Sequence, residues 1–199
     1  MRAVIPEVTP DIAAFRKRTG ADRWDEMWDG ELHMPPVPNR SHQEVAHELS
    51  VWLEIHWAQP GGNRVFPPIN IASPGGWPKD YRIPDVVLLT PDRFHIDRDE
   101  YFEGPPTVVV EIHSPGDEAY EKLDFYAQLG VPEVWIVDRD TKEPEVYLRR
   151  GEAYDRAAAD AEGWLHSPAT GVRMKAEAGP KLAVQMSDRE ETRARLPEH

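Results

Sequence analysis

Two carboxylates in the sequence stand at positions that ordinary packing does not explain. Asp85 precedes the apolar run "VVLL" and Glu111 follows the apolar run "TVVV", so each acid lies at one end of a predicted buried strand. Burying an ionised carboxylate costs several kcal/mol unless a cation pairs with it or coordinates it. If the two strands pair antiparallel, the start of one meets the end of the other, and both acids converge at the rim of a sheet.

A divalent cation would relieve the repulsion between two such acids. Carboxylates held close together repel unless a proton or a cation lies between them. Mg²⁺ is commonly bound by one or two carboxylates together with waters and phosphate oxygens of a substrate. The pair Asp85 and Glu111 therefore indicates a candidate site for a hard divalent ion.

A lysine follows the second acid on a segment with helical spacing. Lys122 shares one side of this segment with Ala119, Tyr126 and Leu129, next to the apolar face that would pack on a sheet. Its long side chain could therefore reach the acids. An ammonium group there can offset negative charge that develops on a phosphate, or orient an attacking water.

Helix caps and turn residues outline the elements that would position these groups. Ser114, Pro115 and Asp117 are typical of a helix start and Gly130 of a helix stop, which predicts a helix over about 115–129. Ser41 predicts the cap of an earlier helix that runs through about Trp57. The other predictions are a short helix over 10–18, a loop over 31–43, extended segments near 64–72, 82–89 and 107–112, a hairpin over 133–151, and a solvated, frayed tail over 187–199.

Composition limits the class of protein. A chain of 199 residues, 40% hydrophobic and 30% charged, predicts a single domain over 1–199. The net charge of −13 gives no support for broad attachment to nucleic acid or to a membrane surface. No window reaches the roughly 18 apolar residues of a membrane span, and the N-terminal segment lacks the apolar core of a signal peptide. The absence of cysteine fits a reducing compartment. We therefore expect a cytoplasmic protein.

The segments "IPDVVLL", "TVVVEIHSP" and "EKLDFYAQLGVPEVWIVD", preceded by "DEMWDGEL" and "NRSHQEV", resemble the Uma2 (DUF820) family of endonucleases. This family belongs to the PD-(D/E)XK, or restriction endonuclease-like, nuclease superfamily. The resemblance covers about residues 22–185. It implies an α/β fold with a restriction endonuclease-like core, in which a central mixed β-sheet is flanked by helices.

The same resemblance implies a Mg²⁺-dependent phosphodiesterase site. Asp85 and Glu111 match the two acids of the superfamily motif, and Glu26 matches an acid contributed near the N-terminus, so all three would hold Mg²⁺ or Mn²⁺. The superfamily pattern has a lysine two residues after the second acid, but this chain has His113 there. Lys122 fits a lysine that has moved onto the following helix. His113 raises the question of whether its imidazole helps to bind the metal.

Simpler roles remain open for these residues. Asp85 follows a proline and could be a turn residue, and Glu26 is one of several acids in "DRWDEMWDGE", any of which could be merely solvated. Glu111 could form an ion pair with an arginine such as Arg82.

Lys122 could likewise be a surface lysine paired with Glu118, four residues earlier on the predicted helix.

Two further sequence features are weaker indications of function. His42 and His47 would lie about 140° apart around a helix, which is a poor metal pair, so a solvent-facing or capping role is expected. Trp77, in a loop, could stack on a base.

The sequence therefore predicts a metal-dependent endonuclease that hydrolyses phosphodiester bonds of DNA. Asp85, Glu111 and Glu26 would bind the metal, and Lys122 would stabilise the transition state. The alternative is a non-catalytic nucleic-acid-binding or protein-interaction module that keeps the fold. By analogy with other proteins of this fold, the expected assembly is a homodimer.

Overall fold

The computed structural model describes residues 3–6, 9–20 and 22–198. Its α-helices are α1 (Pro10–Thr19), α2 (Arg40–Leu53), α3 (Gln59–Gly61) and α4 (Leu123–Leu129), with a π-helical turn at Glu54–Ala58 and a 3₁₀ helix at Pro91–Ile96. Its strands are β1 (Ala3–Ile5), β2 (Glu26–Trp28), β3 (Glu31–Met34), β4 (Arg64–Phe66), β5 (Asn70–Ala72), β6 (Tyr81–Arg82), β7 (Val86–Leu89), β8 (Tyr101–Glu103), β9 (Val108–His113), β10 (Glu133–Asp138), β11 (Pro144–Arg150), β12 (Ala153–Arg156), β13 (Leu165–His166), β14 (Val172–Glu177), β15 (Lys181–Met186) and β16 (Arg189–Leu196).

A mixed sheet forms the centre of the fold, with the strand order β12-β11-β10-β9-β7-β4 in the described part of the chain. Strands β9 and β10 are parallel because the chain crosses over between them through α4. The other neighbouring pairs are antiparallel, including β7 with β9 and β10 with β11. The predicted mixed sheet and the predicted hairpin after residue 133 are confirmed.

Helices cover both faces of this sheet. On β9, Val108 and Val110 pack in a cluster with residues of α2, whereas Val109 packs in a second cluster with Tyr126 of α4. Successive side chains of a strand point to opposite faces, so a strand buried on both faces is apolar throughout. The run "VVLL" of β7 is buried at all four positions for this reason. The predicted arrangement of a central sheet flanked by helices is confirmed.

The C-terminal residues form part of a sheet, which corrects the prediction of a frayed tail. In the sheet β13-β14-β15-β16, strand β16 pairs antiparallel with β15. Leu196 is buried against the cluster that contains α2, and Trp52 Nε1 donates a hydrogen bond to Thr192 O over 2.8 Å. The side chains of this segment alternate between buried and exposed positions, and the buried ones hold it in place. Its many charged residues obscure this alternation in the sequence.

Helix α4 is shorter than predicted. Residues 114–122 form turns, and the helix begins at Leu123 with Lys122 at its N-cap. Gly116 has φ +80°, which an α-helix does not allow. The Asp117 carboxylate accepts hydrogen bonds from the backbone N–H groups of Ser114 and Ala119, so the residues that indicated a helix cap stabilise a turn instead.

Two N-terminal boundaries also differ from prediction. Asn39, rather than Ser41, caps α2, because its side-chain oxygen accepts from the backbone N–H of His42 over 3.0 Å. Strands β2 and β3 form a hairpin, so part of the predicted loop over 31–43 is strand. Glu26 consequently lies on a strand. No helix among the described residues has the length and apolar character needed to cross a membrane.

Candidate active site

Pairing of β7 with β9 brings the two predicted acids to the same edge of the central sheet. The strands are antiparallel, with Val86 opposite Val110, and the Asp85 backbone N–H donates to Val110 O over 3.1 Å. Asp85 therefore lies beside Glu111, the next residue on β9. The predicted convergence of these acids at the sheet rim is confirmed as geometry.

Both carboxylate oxygens of Asp85 have hydrogen-bonding partners. Oδ2 accepts from the backbone N–H of Ile112 over 2.7 Å, and Oδ1 lies 2.8 Å from His42 Nε2. His42 Nδ1 in turn lies 3.2 Å from Ser114 Oγ. The first turn of α2 and the turn after β9 therefore fix the orientation of Asp85, which argues against a simple turn role.

Glu111, Lys122 and Glu26 form a buried triad of charged groups. Lys122 Nζ lies 3.1 Å from Glu111 Oε2 and 2.8 Å from Glu26 Oε1. The side chains of Glu111 and Glu26 are only 5% and 4% exposed, and that of Lys122 is 11% exposed. Tyr126 Oη donates to Glu111 Oε1 over 2.6 Å. Glu111 belongs to β9 of the central sheet, whereas Glu26 belongs to β2 of a separate sheet with the strand order β1-β3-β2-β6-β5-β8. Lys122 therefore lies between two acids that come from different sheets.

Glu26 is held by two further donors. Its Oε1 accepts from the backbone N–H of Ile83 over 2.9 Å, and its Oε2 accepts from Trp28 Nε1 over 2.7 Å. Glu26 is thus buried and bonded, not merely solvated.

The simpler roles for Lys122 and Glu111 are not those seen in the structure. Glu118 contacts His33, whose Nδ1 lies 2.9 Å from Glu118 Oε1, while Lys122 forms its ion pairs with Glu26 and Glu111. Arg82 pairs with Asp80 and packs against Trp28 and Phe125. The cationic partner of Glu111 is therefore a lysine.

Burial dominates the electrostatics of the triad. It raises the pKa of Glu111 to about 8, and the charges of Asp85 and Glu26 add to this rise while Lys122 opposes it. Burial acts to lower the pKa of Lys122, but the charges of Glu111 and Glu26 together outweigh it and raise that pKa. Because burial disfavours its ionised form and two further carboxylates are nearby, Glu111 holds a proton more readily than an exposed glutamate does.

A cavity of about 250 Å³ opens above these groups. Asp85, Glu111, Lys122 and Glu26 line it, as do residues of the segments 35–39 and 114–119. His113 does not line the cavity, and its Nδ1 lies 2.8 Å from Asp117 Oδ1. The imidazole therefore supports the turn after β9.

Two residues of the site were not predicted from sequence. His42 was compared with His47 on its own helix, whereas its partner is Asp85 on a distant strand. Nothing local in the sequence signals this contact. Tyr126 could have been found, because it lies one helical turn after Lys122 on the side expected to face the sheet.

The donor chemistry of the site fits a hard divalent cation. Asp85 and Glu111 line the same cavity, and each carboxylate oxygen that already accepts one hydrogen bond has a second lone pair. Three acids and one lysine leave an excess of negative charge that a divalent ion would offset. Within residues 3–6, 9–20 and 22–198, no three Asp, Glu or His side chains converge as a ready metal cluster. A site of two carboxylates plus water and phosphate oxygens matches Mg²⁺ better than a site built from protein ligands alone.

The mixed sheet, its flanking helices and the acid pair define a nuclease-like α/β protein of the restriction endonuclease type. The chain matches the Uma2 family, described as "Putative restriction endonuclease", over residues 7–184, and it belongs to this family. The crystal structure of "a putative nuclease belonging to DUF820" from Anabaena variabilis ATCC 29413 is similar, with a TM-score of 0.58 and 17% identity. The match covers 72% of this chain and 81% of that one, and at this identity it shows the fold. The comparison with curated proteins gave no match.

Proposed function

We propose that the protein is a metal-dependent endonuclease that hydrolyses phosphodiester bonds of DNA. The observation that carries this proposal is the meeting of Asp85 and Glu111 at one sheet edge, with the Lys122 ammonium 3.1 Å from Glu111. Membership of a family described as "Putative restriction endonuclease" supports it. In the reaction, a water oxygen forms a bond to phosphorus, one P–O ester bond breaks, and the leaving oxygen takes up a proton.

Asp85 and Glu111 are the residues that would hold Mg²⁺ or Mn²⁺, and Glu26 would assist directly or through a water. When bound, the ion supplies charge stabilisation for the phosphate oxygens and lowers the pKa of a bound water. His42 and the Ile112 N–H keep Asp85 in one orientation, so its oxygens need little reorganisation to bind.

Lys122 would stabilise the negative charge that develops on the phosphate. Its ammonium is held by Glu26 and Glu111 at the floor of the cavity, so it is positioned before the substrate arrives. A preorganised charge in a site with little water stabilises a transition state more than the same charge in solvent does. Tyr126 donates to Glu111 and holds the second acid in place.

Cleavage assays with matched variants test the proposal. Wild type, Glu111→Ala and Lys122→Ala, prepared identically, would be incubated with supercoiled DNA and Mg²⁺ or Mn²⁺, with and without EDTA. We expect cleavage by wild type that EDTA abolishes, and a loss of about two to three orders of magnitude in either variant. Equal cleavage by all three proteins would indicate a contaminating nuclease and would favour the non-catalytic binding module.

Metal binding can be measured without cleavage. A ligand that binds the native state raises its melting temperature by mass action. We expect millimolar Mg²⁺ or Mn²⁺ to raise the melting temperature of wild type and to leave Glu111→Ala unchanged. An unchanged wild-type melting temperature would contradict the proposed metal site.

Homodimerisation stays a prediction, for which light scattering coupled to size-exclusion chromatography is the direct test.

A further inference from the structure

The cavity above the acids has a charged floor and an apolar wall. Its floor carries Asp85, Glu111 and Lys122, and its wall includes Trp24 and the segment Pro35–Pro38. The three prolines of "PPVP" restrict the backbone, so this wall is stiff. Val37 is 75% exposed. With a divalent ion bound at the acids, a floor that suits a phosphate would adjoin a surface that suits a flat apolar group.

A nucleotide has this combination of chemical groups. Its base presents apolar π-faces that stack on aromatic side chains with little sequence preference, and its phosphate is an anion. Trp24 is half-buried in the cavity wall, and the Arg23 guanidinium lies 5.3 Å from its ring centroid.

The depth of Asp85 and Lys122 in the cavity favours an unpaired strand over a duplex. The side chains of Asp85 and Lys122 are only 17% and 11% exposed, so a phosphate must enter the cavity to reach them. The volume of about 250 Å³ is below the roughly 300 Å³ at which pockets for small molecules begin, so the cavity has room for little more than one nucleotide unit. A paired base could reach the wall only after extrusion from its stack, which costs free energy that an unpaired base does not pay.

The charge of the chain does not offset the cost of extruding a paired base. A protein that deforms a duplex usually recovers the cost through many phosphate contacts from a basic surface. This chain has a net charge of −13. A flexible single strand needs only a local site.

We propose, on the basis of the function proposed above, that the cavity takes one nucleotide of an unpaired DNA strand. The phosphate lies beside Lys122 and the divalent ion that Asp85 and Glu111 would hold, and the adjoining base packs against Trp24 and the Pro35–Pro38 segment. The preferred substrates are single strands, flaps and bubbles, in contrast to intact duplex.

Binding measurements test this preference independently of cleavage. One sequence would be presented as a single strand, as a blunt duplex and as a duplex with a central unpaired bubble, with Ca²⁺ in place of Mg²⁺, and anisotropy would give each Kd. We expect wild type to bind the single strand and the bubble at least about tenfold more tightly than the duplex, which is the scale of one stacked base. Equal affinity for the three substrates, or no binding to any, would overturn the inference.

Tryptophan variants test the proposed contact. Trp24→Ala should remove most of the preference, whereas Trp24→Phe should keep most of it. Trp77→Ala is the matched control, because Trp77 is stacked on Tyr101 with ring centroids 4.9 Å apart and does not line the cavity. A preference that survives Trp24→Ala, or that is lost equally in Trp77→Ala, would overturn the assignment of the wall.

Cleavage of the same substrates in Mg²⁺ separates this inference from the proposed function. Wild type that prefers unpaired DNA in binding but cleaves none of the substrates would support the nucleotide site and refute hydrolysis. Wild type that cleaves blunt duplex as fast as single strand would support hydrolysis and refute the preference.

Discussion

Replacing Lys122 with methionine tests the central feature of the site. The change keeps the length of the side chain and removes its charge, so Glu26 and Glu111 lose the ammonium that lies 2.8 and 3.1 Å from them. Removing one partner of a buried ion pair costs about 3–5 kcal/mol, because the remaining charge stays buried without compensation. We therefore expect the free energy of unfolding of Lys122→Met to fall by about 3–5 kcal/mol at pH 8.5.

The loss should depend on pH. Burial already raises the pKa of Glu111 to about 8, and removal of the lysine would favour its protonated form further. A protonated glutamate needs no cation, so the loss of stability in Lys122→Met should be smaller at pH 5.5 than at pH 8.5. Urea unfolding followed by circular dichroism at both pH values measures the difference.

An exposed lysine provides the control. Lys79→Met removes the same charge from an exposed loop and should change the free energy of unfolding by no more than about 0.5 kcal/mol. If Lys122→Met also cost less than about 1 kcal/mol at both pH values, Lys122 would not be the buried partner of these two acids. The Lys122→Met protein that remains folded should cleave DNA about two to three orders of magnitude more slowly.

Three further predictions address the acid, its neighbour and the C-terminal strand. The pKa of Glu111 is raised from 4.5 to about 8 in the folded protein, so the folded state binds more protons than the unfolded state between these two pH values. The contribution of Glu111 to the stability of wild type should therefore be greatest near or below pH 4.5 and decline toward pH 8. Calorimetry should find a smaller decline in Glu111→Gln. His42→Ala frees Asp85 Oδ1 and should weaken Mn²⁺ binding by about 10- to 100-fold in titration calorimetry, and unchanged affinity would show that His42 does not orient the acid. Truncation after Met186 removes the buried Leu196 and exposes the edge of β15, so we expect no cooperative unfolding transition, whereas unfolding like that of the full chain would contradict the role of β16.

Strand positions were predictable because hydrophobic patterning decides them locally. The buried runs at 86–89 and 108–110 require cover on both faces, which already indicated a central sheet with helices on each side. The acids that bound these runs had to meet if the strands were antiparallel, and the structure pairs them so.

Helix limits and the C-terminal strand were less predictable because the local sequence signals there fit two different structures. Pro115 and Asp117 fit a helix start and also a tight turn, and the positive φ of Gly116 selects the turn. Charged residues in 187–199 suggested a solvated tail, although half of a strand at the edge of a sheet can be charged while the other half is buried.

The sequence by itself determined which residues could do chemistry at the sheet rim, namely Asp85 and Glu111, since their positions follow from the ends of two apolar runs. Only the tertiary structure decided what surrounds them. Glu26 arrives from a different sheet and His42 from a helix far along the chain, and both contacts join residues distant in sequence. Contacts of this kind depend on how the elements pack, and no local periodicity or cap records them.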